Sequence, residues 1–363
     1  ETRFIIRVKT IIVISEMINL PPDDCSGDVE IMMKEKTIPL SLLDLAPITE
    51  GNTLSDAITN SVRLAQAAEK AGYHRFWMAE HHNMVDIASA ATAVILSHIG
   101  AKTEKIRIGS GGIMLPNHAP LVVAEQFGTL EIMYPGRVDL GLGRAPGTDQ
   151  ETLQALRRET RAKGLDFPDM LDELQHFLAP AQRGQRITAV PGAGLDIPLW
   201  LLGSSTFSAQ LAAQKGLPLV FASHFAPDAM LAAIDTYRSG FRPSESLAEP
   251  YVMICVNVVA AENQSEADYL ATTELQKFVN LGRGVEVKLP KPVDDMNALW
   301  HPVEAQRVLT QLRESVWGTK ETVRTGLNDL VRRTGADEIM VNSWIHDADA
   351  RIRSHQLIAE AWN

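Results

Sequence analysis

From residue 38 onward, short β-rich apolar runs alternate with longer stretches of helical periodicity, and this alternation constrains the fold more than any other feature of the chain. It argues for successive parallel βα units. Strands are predicted at 38–45, 75–80, 106–115, 138–142, 199–202, 219–222, 251–260 and 338–341. The first helix opens on Thr53-x-x-Asp56, a capping-box spacing. It keeps Leu54, Ala57, Ile58, Val62, Ala65 and Ala68 in helical register and stops at Gly72. Pro120 opens a helix reaching Met133. Further helices are expected at 88–99, 169–178, 207–215, 228–237, 265–279, 303–315, 320–333 and 349–362. Eight strands with helices between them count out to an α/β fold, the (β/α)8 TIM barrel. The stretches 144–196 and 281–302 break the rhythm and are expected as insertions at the C-terminal face.

At 363 residues the chain is long for one domain, but α/β barrels routinely run this long as single units. Residues 37–363 are therefore assigned to one barrel domain, and residues 1–36 to an N-terminal extension of unknown role. In that extension the apolar run from Phe4 to Ile18 is interrupted by Arg7, Lys9 and Glu16, and Pro21-Pro22-Asp23-Asp24 follows. It lacks the clean apolar stretch and small-residue cleavage site of a signal peptide. No apolar run approaches the roughly 18 residues of a membrane span. The formal charge is −11, from 34 basic and 45 acidic residues, with no basic cluster, which argues against nucleic acid and anionic membranes as partners. The two cysteines, Cys25 and Cys255, lie far apart without metal-ligand spacing and read as separate thiols of a reducing, cytoplasmic compartment.

Active sites of such barrels form at the carboxyl ends of the strands. Read in order, those ends carry Glu80-His81-His82, Ser110-Gly111-Gly112, Gly143-Arg144, Gly203-Ser204-Ser205, Ser223-His224 and Asn342-Ser343-Trp344. Polar groups thus crowd one rim of an otherwise apolar barrel. Adjacent strand residues point to opposite faces, so His81 and His82 do not easily share one ion, and no metal site is expected. His118, between Asn117 and Pro120, either faces the rim or caps a loop. Neither a P-loop nor a dinucleotide G-x-G-x-x-G follows a strand, so no dedicated NAD(P)H fold is indicated.

Three of these segments carry a family resemblance. Phe76-Trp77-Met78-Ala79-Glu80-His81-His82 resembles the W-x-x-E-H-H strand end of the bacterial-luciferase-like flavin-dependent monooxygenases. The run Ile106 to Pro116, around Gly109-Ser110-Gly111-Gly112, is similar to their third strand, and Pro135 to Arg144 to their fourth. The resemblance covers roughly residues 38–363 and is of the single-subunit type. It implies His81 as the acid–base residue near a reduced flavin, since an imidazole moves protons near neutral pH. It implies Arg144 as the phosphate-binding arginine, whose fork suits a dianion. It also implies Gly111 and Gly112 as a side-chain-free surface for the ring, where relatives often carry a non-proline cis peptide. Glu80, Ser110, Gly203, Ser204 and Ser205 complete the expected cofactor set, with Ser204, Ser205 and Thr206 preceding a helix whose free N–H groups suit phosphate. For each residue a structural role competes: a rim salt bridge for Glu80 and Arg144, tight packing for the glycines, ordinary capping for the serines.

The function so implied is an FMN-dependent monooxygenase that receives FMNH2 from a separate flavin reductase. It would use O2 to oxygenate a small organic substrate, as a cytoplasmic homodimer or higher homo-oligomer. Two alternatives stand beside it: hydride transfer with the deazaflavin F420, and non-catalytic flavin binding. F420 ends in a polyglutamate tail that calls for a basic groove, and the motifs offer little beyond Arg144. Loss of the histidine would mark the non-catalytic case, and His81 is present.

Overall fold

The computed structural model describes residues 38–145, 150–156 and 166–363. The extension 1–36, Cys25 and parts of the 144–196 insertion lie outside them. Nine strands form the sheet: β1 Leu40–Asp44, β2 Arg75–Met78, β3 Arg107–Met114, β4 Val138–Gly143, β5 Leu199–Gly203, β6 Leu219–Ala222, β7 Val252–Ala260, β8 Val316–Gly318 and β9 Glu338–Asn342. Their order is β6-β5-β4-β3-β2-β1-β9-β7-β8, and an additional β6–β7 pairing closes the ring. All pairings between these strands are parallel.

The closed barrel therefore has eight staves, as the alternation predicts, with β9 as the eighth. The extra strand β8 has only three residues and pairs with Val258–Ala260, beyond the part of β7 that pairs with β9. Most helices fall where periodicity places them, including Pro120–Met133, Phe167–Leu178, Thr206–Lys215 and Ala348–Trp362. The expected 88–99 helix starts later, at Thr92, because Ala88 donates its N–H to Ala46 and Ser89 accepts from His81. Thr53 and Asp56 do form a reciprocal capping box.

Strand alternation builds two cores. Leu42, Phe76, Ile108, Leu140, Phe221, Ile254 and Ile339 face outward onto the helices, in one cluster with Leu64, Leu96, Phe127 and Leu357. Leu43, Trp77, Trp200, Val220, Met253 and Met340 form a second cluster inside the barrel. There Trp77 and Trp200 meet edge to face with centroids 5.4 Å apart, and Tyr251 meets Trp200 at 5.6 Å.

Below these rings the lumen is closed by a buried ionic network at the amino ends of the strands. Arg75 bridges Asp139 (2.7 Å) and Glu338 (3.0 Å), and Arg107 also pairs with Asp139. Trp77 donates its indole N–H to Asp139 (3.1 Å), and both Ser41 and Tyr251 donate hydroxyls to Glu338. Asp139 and Glu338 are fully buried, so each carboxylate has several donors in place of water. Among the described residues, this network fills the amino-terminal end of the lumen.

Candidate active site

The rim is organised around Glu80. Strand β2 ends at Met78, and the chain turns out of the strand through Ala79 to His82. Glu80 is 1% exposed, yet four groups donate to it. His82 Nε2 lies 2.8 Å from Oε1, and His118 Nε2 lies 2.9 Å from both carboxylate oxygens. Asn117 Nδ2 reaches Oε1 at 3.2 Å, and the Met114 N–H reaches Oε2 at 2.9 Å. Burial alone would raise this carboxyl's pKa. The His118 and His82 hydrogen bonds, the charge of His118 and the Met114 amide outweigh burial and hold it down at about 2. Glu80 is thus an anion at any ordinary pH, clamping the segment after β2 to the segment after β3.

His81 is half-buried beside this clamp, its backbone N–H on the Ser89 carbonyl at 3.3 Å. It is electrostatically coupled to His224, which follows β6. Burial first, and then the charge of His81, push the His224 pKa down to about 3 against the opposing Cys255 carbonyl. An imidazole so placed stays neutral, so His224 carries no charge beside His81. His224 is fixed from below: Asn342 donates to Asn257 (2.8 Å), which donates to the His224 carbonyl (2.7 Å). The strand-end reading included His224 without assigning it a role. Its link to His81 spans four staves and leaves no local signal.

At β3 the Gly111–Gly112 peptide is cis, and the β3–β4 register shifts between Ser110 and Ile113. A Cβ on Gly111 would lie 2.6 Å from Leu43 Cδ1, and one on Gly112 would lie 2.8 Å from the Gly141 carbonyl oxygen. The neighbouring β4 backbone thus requires glycine at 112, whereas at 111 the obstacle is the tip of the Leu43 side chain. Ser110 is fully buried, donating to the Gly141 carbonyl (2.8 Å) and accepting from its N–H (3.0 Å). Gly203 admits Ser208, which would otherwise stand 2.4 Å from its Cβ.

Arg144, just past β4, is exposed and stacks on Phe207, its guanidinium carbon 4.2 Å from the ring centroid. Phe207 lies in the first turn of the Thr206–Lys215 helix, whose N-cap, Ser205, makes no side-chain capping bond. Ser205 thus does not cap the helix through its side chain, and a guanidinium is held at a helix start rich in N–H donors.

Other rim residues serve the scaffold. Ser343 bonds His355 (2.8 Å) and accepts from Arg351, which also pairs with Asp44 at the end of β1, tying the last helix to the barrel. Trp344 is buried beneath Lys277, whose ammonium sits 4.3 Å from its ring. Cys255 is a buried thiol with its pKa pushed up by burial, as expected of an inert cysteine. Among the described residues, no helix is long and apolar enough to cross a membrane.

Fold and rim together define a (β/α)8-barrel protein whose strand ends bring together a Glu80-centred histidine cluster, the His81–His224 pair and an arginine-bearing helix start. The chain belongs to the luciferase-like monooxygenase family, whose profile matches residues 40–338. It is 52% identical over 325 residues to a luciferase-like monooxygenase of Escherichia coli K12, covering 90% of this chain and 97% of the relative. An N-acetyl-S-alkylcysteine monooxygenase of Bacillus subtilis is 33% identical over 329 residues, covering 89% and 98%. Among solved structures, that of apo-MsnO8 superimposes with a TM-score of 0.80 at 35% identity, covering 90% of this chain and 97% of that one.

Proposed function

We propose that this family member is an FMN-dependent monooxygenase working with a separate flavin reductase and O2 on a small organic substrate. The observation that carries the reading is Arg144 stacked on Phe207 at the uncapped start of the Thr206–Lys215 helix. A forked cation beside several helix N–H groups fits the terminal phosphate of a mononucleotide. Ser204 and Ser205 hydroxyls complete that cradle. When bound, reduced FMN supplies the two electrons with which O2 is divided between an oxygenated product and water.

The chain's own residues then have distinct tasks. Arg144 and the helix start hold the phosphate. Gly111 and Gly112 present backbone without side chains toward the lumen. His81 holds and returns a proton at its imidazole, with His224 kept neutral beside it. Glu80, through His82 and His118, fixes the segment from which His81 projects. The ionic floor and the tryptophan pair above it close the barrel against water, which favours productive use of the electrons.

Absorbance titration with FMN, F420 and NADPH tests the reading. FMN is expected to bind more tightly than either alternative. Saturation by F420 at micromolar levels with no response to FMN would replace it with F420-dependent hydride transfer.

A further inference from the structure

We propose that Glu80, His82 and His118 form a binding site for one divalent transition-metal ion. The inference does not rest on the flavin reading. One carboxylate oxygen and two imidazole nitrogens, contributed by the segments after β2 and β3, lie within 4.8 Å of one another. Both imidazoles already aim Nε2 at the carboxylate, at 2.8 and 2.9 Å. Bonds of about 2.0–2.2 Å at tetrahedral angles would place these three atoms about 3.3 Å apart, so the side chains need move by only fractions of an ångström to a little over one.

The donor set selects the ion. Two imidazoles and one carboxylate suit zinc, cobalt, nickel or ferrous iron, whereas magnesium and calcium prefer oxygen alone. Three protein ligands leave further coordination positions for solvent or substrate oxygen.

The surroundings also suit a built site. The Met114 N–H and Asn117 Nδ2 hold the two carboxylate oxygens independently of the histidines. Glu80 is inaccessible, while the His82 and His118 side chains retain 17% and 28% of their exposure, so an ion can approach from the rim. The cation would take the place of the Nε2 hydrogens that now point at the carboxylate. Sequence reasoning considered His81 with His82 as ligands, which strand alternation opposes. The pairing here is different: His82 and His118 come together because the chain leaves the strand before Glu80.

The test uses the whole protein, stripped with a chelator and titrated with Co(II) at neutral pH, followed by its visible d–d absorption. One equivalent should bind, zinc should displace it, and His82→Ala and His118→Ala should each abolish the spectrum while His81→Ala retains it. Asn117→Ala should weaken binding by about 10–100-fold. X-ray absorption on the zinc-loaded wild-type protein, which needs no variant to fold, should show two imidazole ligands. Absence of stoichiometric binding would overturn the proposal and leave the cluster a hydrogen-bonded clamp. So would a Co(II) spectrum untouched by the His82 and His118 substitutions, or a zinc shell without imidazole.

Discussion

At the residue scale, the proposed function turns on one imidazole, that of His81. His224 is held neutral by burial and by the charge of its neighbour, and the proposed function gives the proton at the rim to His81. Positioned proton transfer of this kind contributes ~10²–10⁴-fold. His81→Ala is therefore expected to slow the O2-dependent reoxidation and oxygenation chemistry of the reduced-flavin protein by that order, while FMN affinity changes little because Arg144 sits apart. Rapid mixing of the anaerobic FMNH2-loaded protein with oxygenated buffer compares this variant with wild type. Wild-type rates in His81→Ala would remove the residue from the mechanism.

The residue scale is also where the sequence was least complete. The E-H-H element is visible as a motif, yet its wiring is not. Glu80 and His118 are 38 positions apart, and their contact depends on how two strand ends are set side by side in the barrel. Alternation would place His82 on the face opposite His81. That rule applies only while the strand lasts, and β2 stops two residues before Glu80. Likewise, the glycines at 111 and 112 are conspicuous in the sequence, but that the Gly141 backbone already excludes a side chain at 112 is a fact of packing.

At the scale of elements, the strands were legible because parallel staves buried on both faces must be nearly continuous apolar runs. All nine residues of β7 are buried. β8 escaped because three residues carry no readable period, and two of them are only partly buried. Its partner is nonetheless well defined. Trp317 of β8 donates its indole N–H (2.9 Å) to Glu274, a fully buried residue of the Gln264–Arg283 helix, whose pKa burial pushes up to about 8 against the bonds from Trp317 and Ser315. A raised folded pKa means the folded state holds the proton more tightly than the unfolded state. That stability is complete below the unfolded value of 4.5 and is lost as pH rises toward about 8. Denaturant unfolding across this window should show a decline in wild type that Glu274→Gln lacks; parallel curves would show Glu274 ionised in the fold.

The barrel floor makes a second prediction at this scale. Asp139 sits within the segment whose resemblance points to the fourth strand, yet its partners, Arg75, Arg107 and Trp77, come from two other staves. Removing one member of a buried pair strands the other charge and costs roughly 3–5 kcal/mol. Asp139→Ala should lose about that much in denaturant unfolding, with the rim chemistry intact in the surviving folded fraction. A loss below about 1 kcal/mol would mean that water reaches the floor and the lumen is not closed there.

For the whole molecule, the division of labour is axial. The amino ends of the staves carry an ionic plug, the middle an apolar and aromatic filling, and the carboxyl ends the histidines, the Glu80 clamp and the arginine-bearing helix start. The count of eight βα units was enough to predict the closed barrel, and that architecture points to its carboxyl ends for the chemistry. The central claim is that this end binds a flavin through its phosphate. It is tested most directly by anaerobic titration of wild type and Arg144→Ala with reduced FMN and reduced riboflavin. Loss of a charge-assisted forked contact costs about 1.5–3 kcal/mol, or roughly ten- to a hundredfold in affinity. The account predicts that loss for FMN and near indifference for riboflavin; an equal loss for both, or none for either, would contradict it.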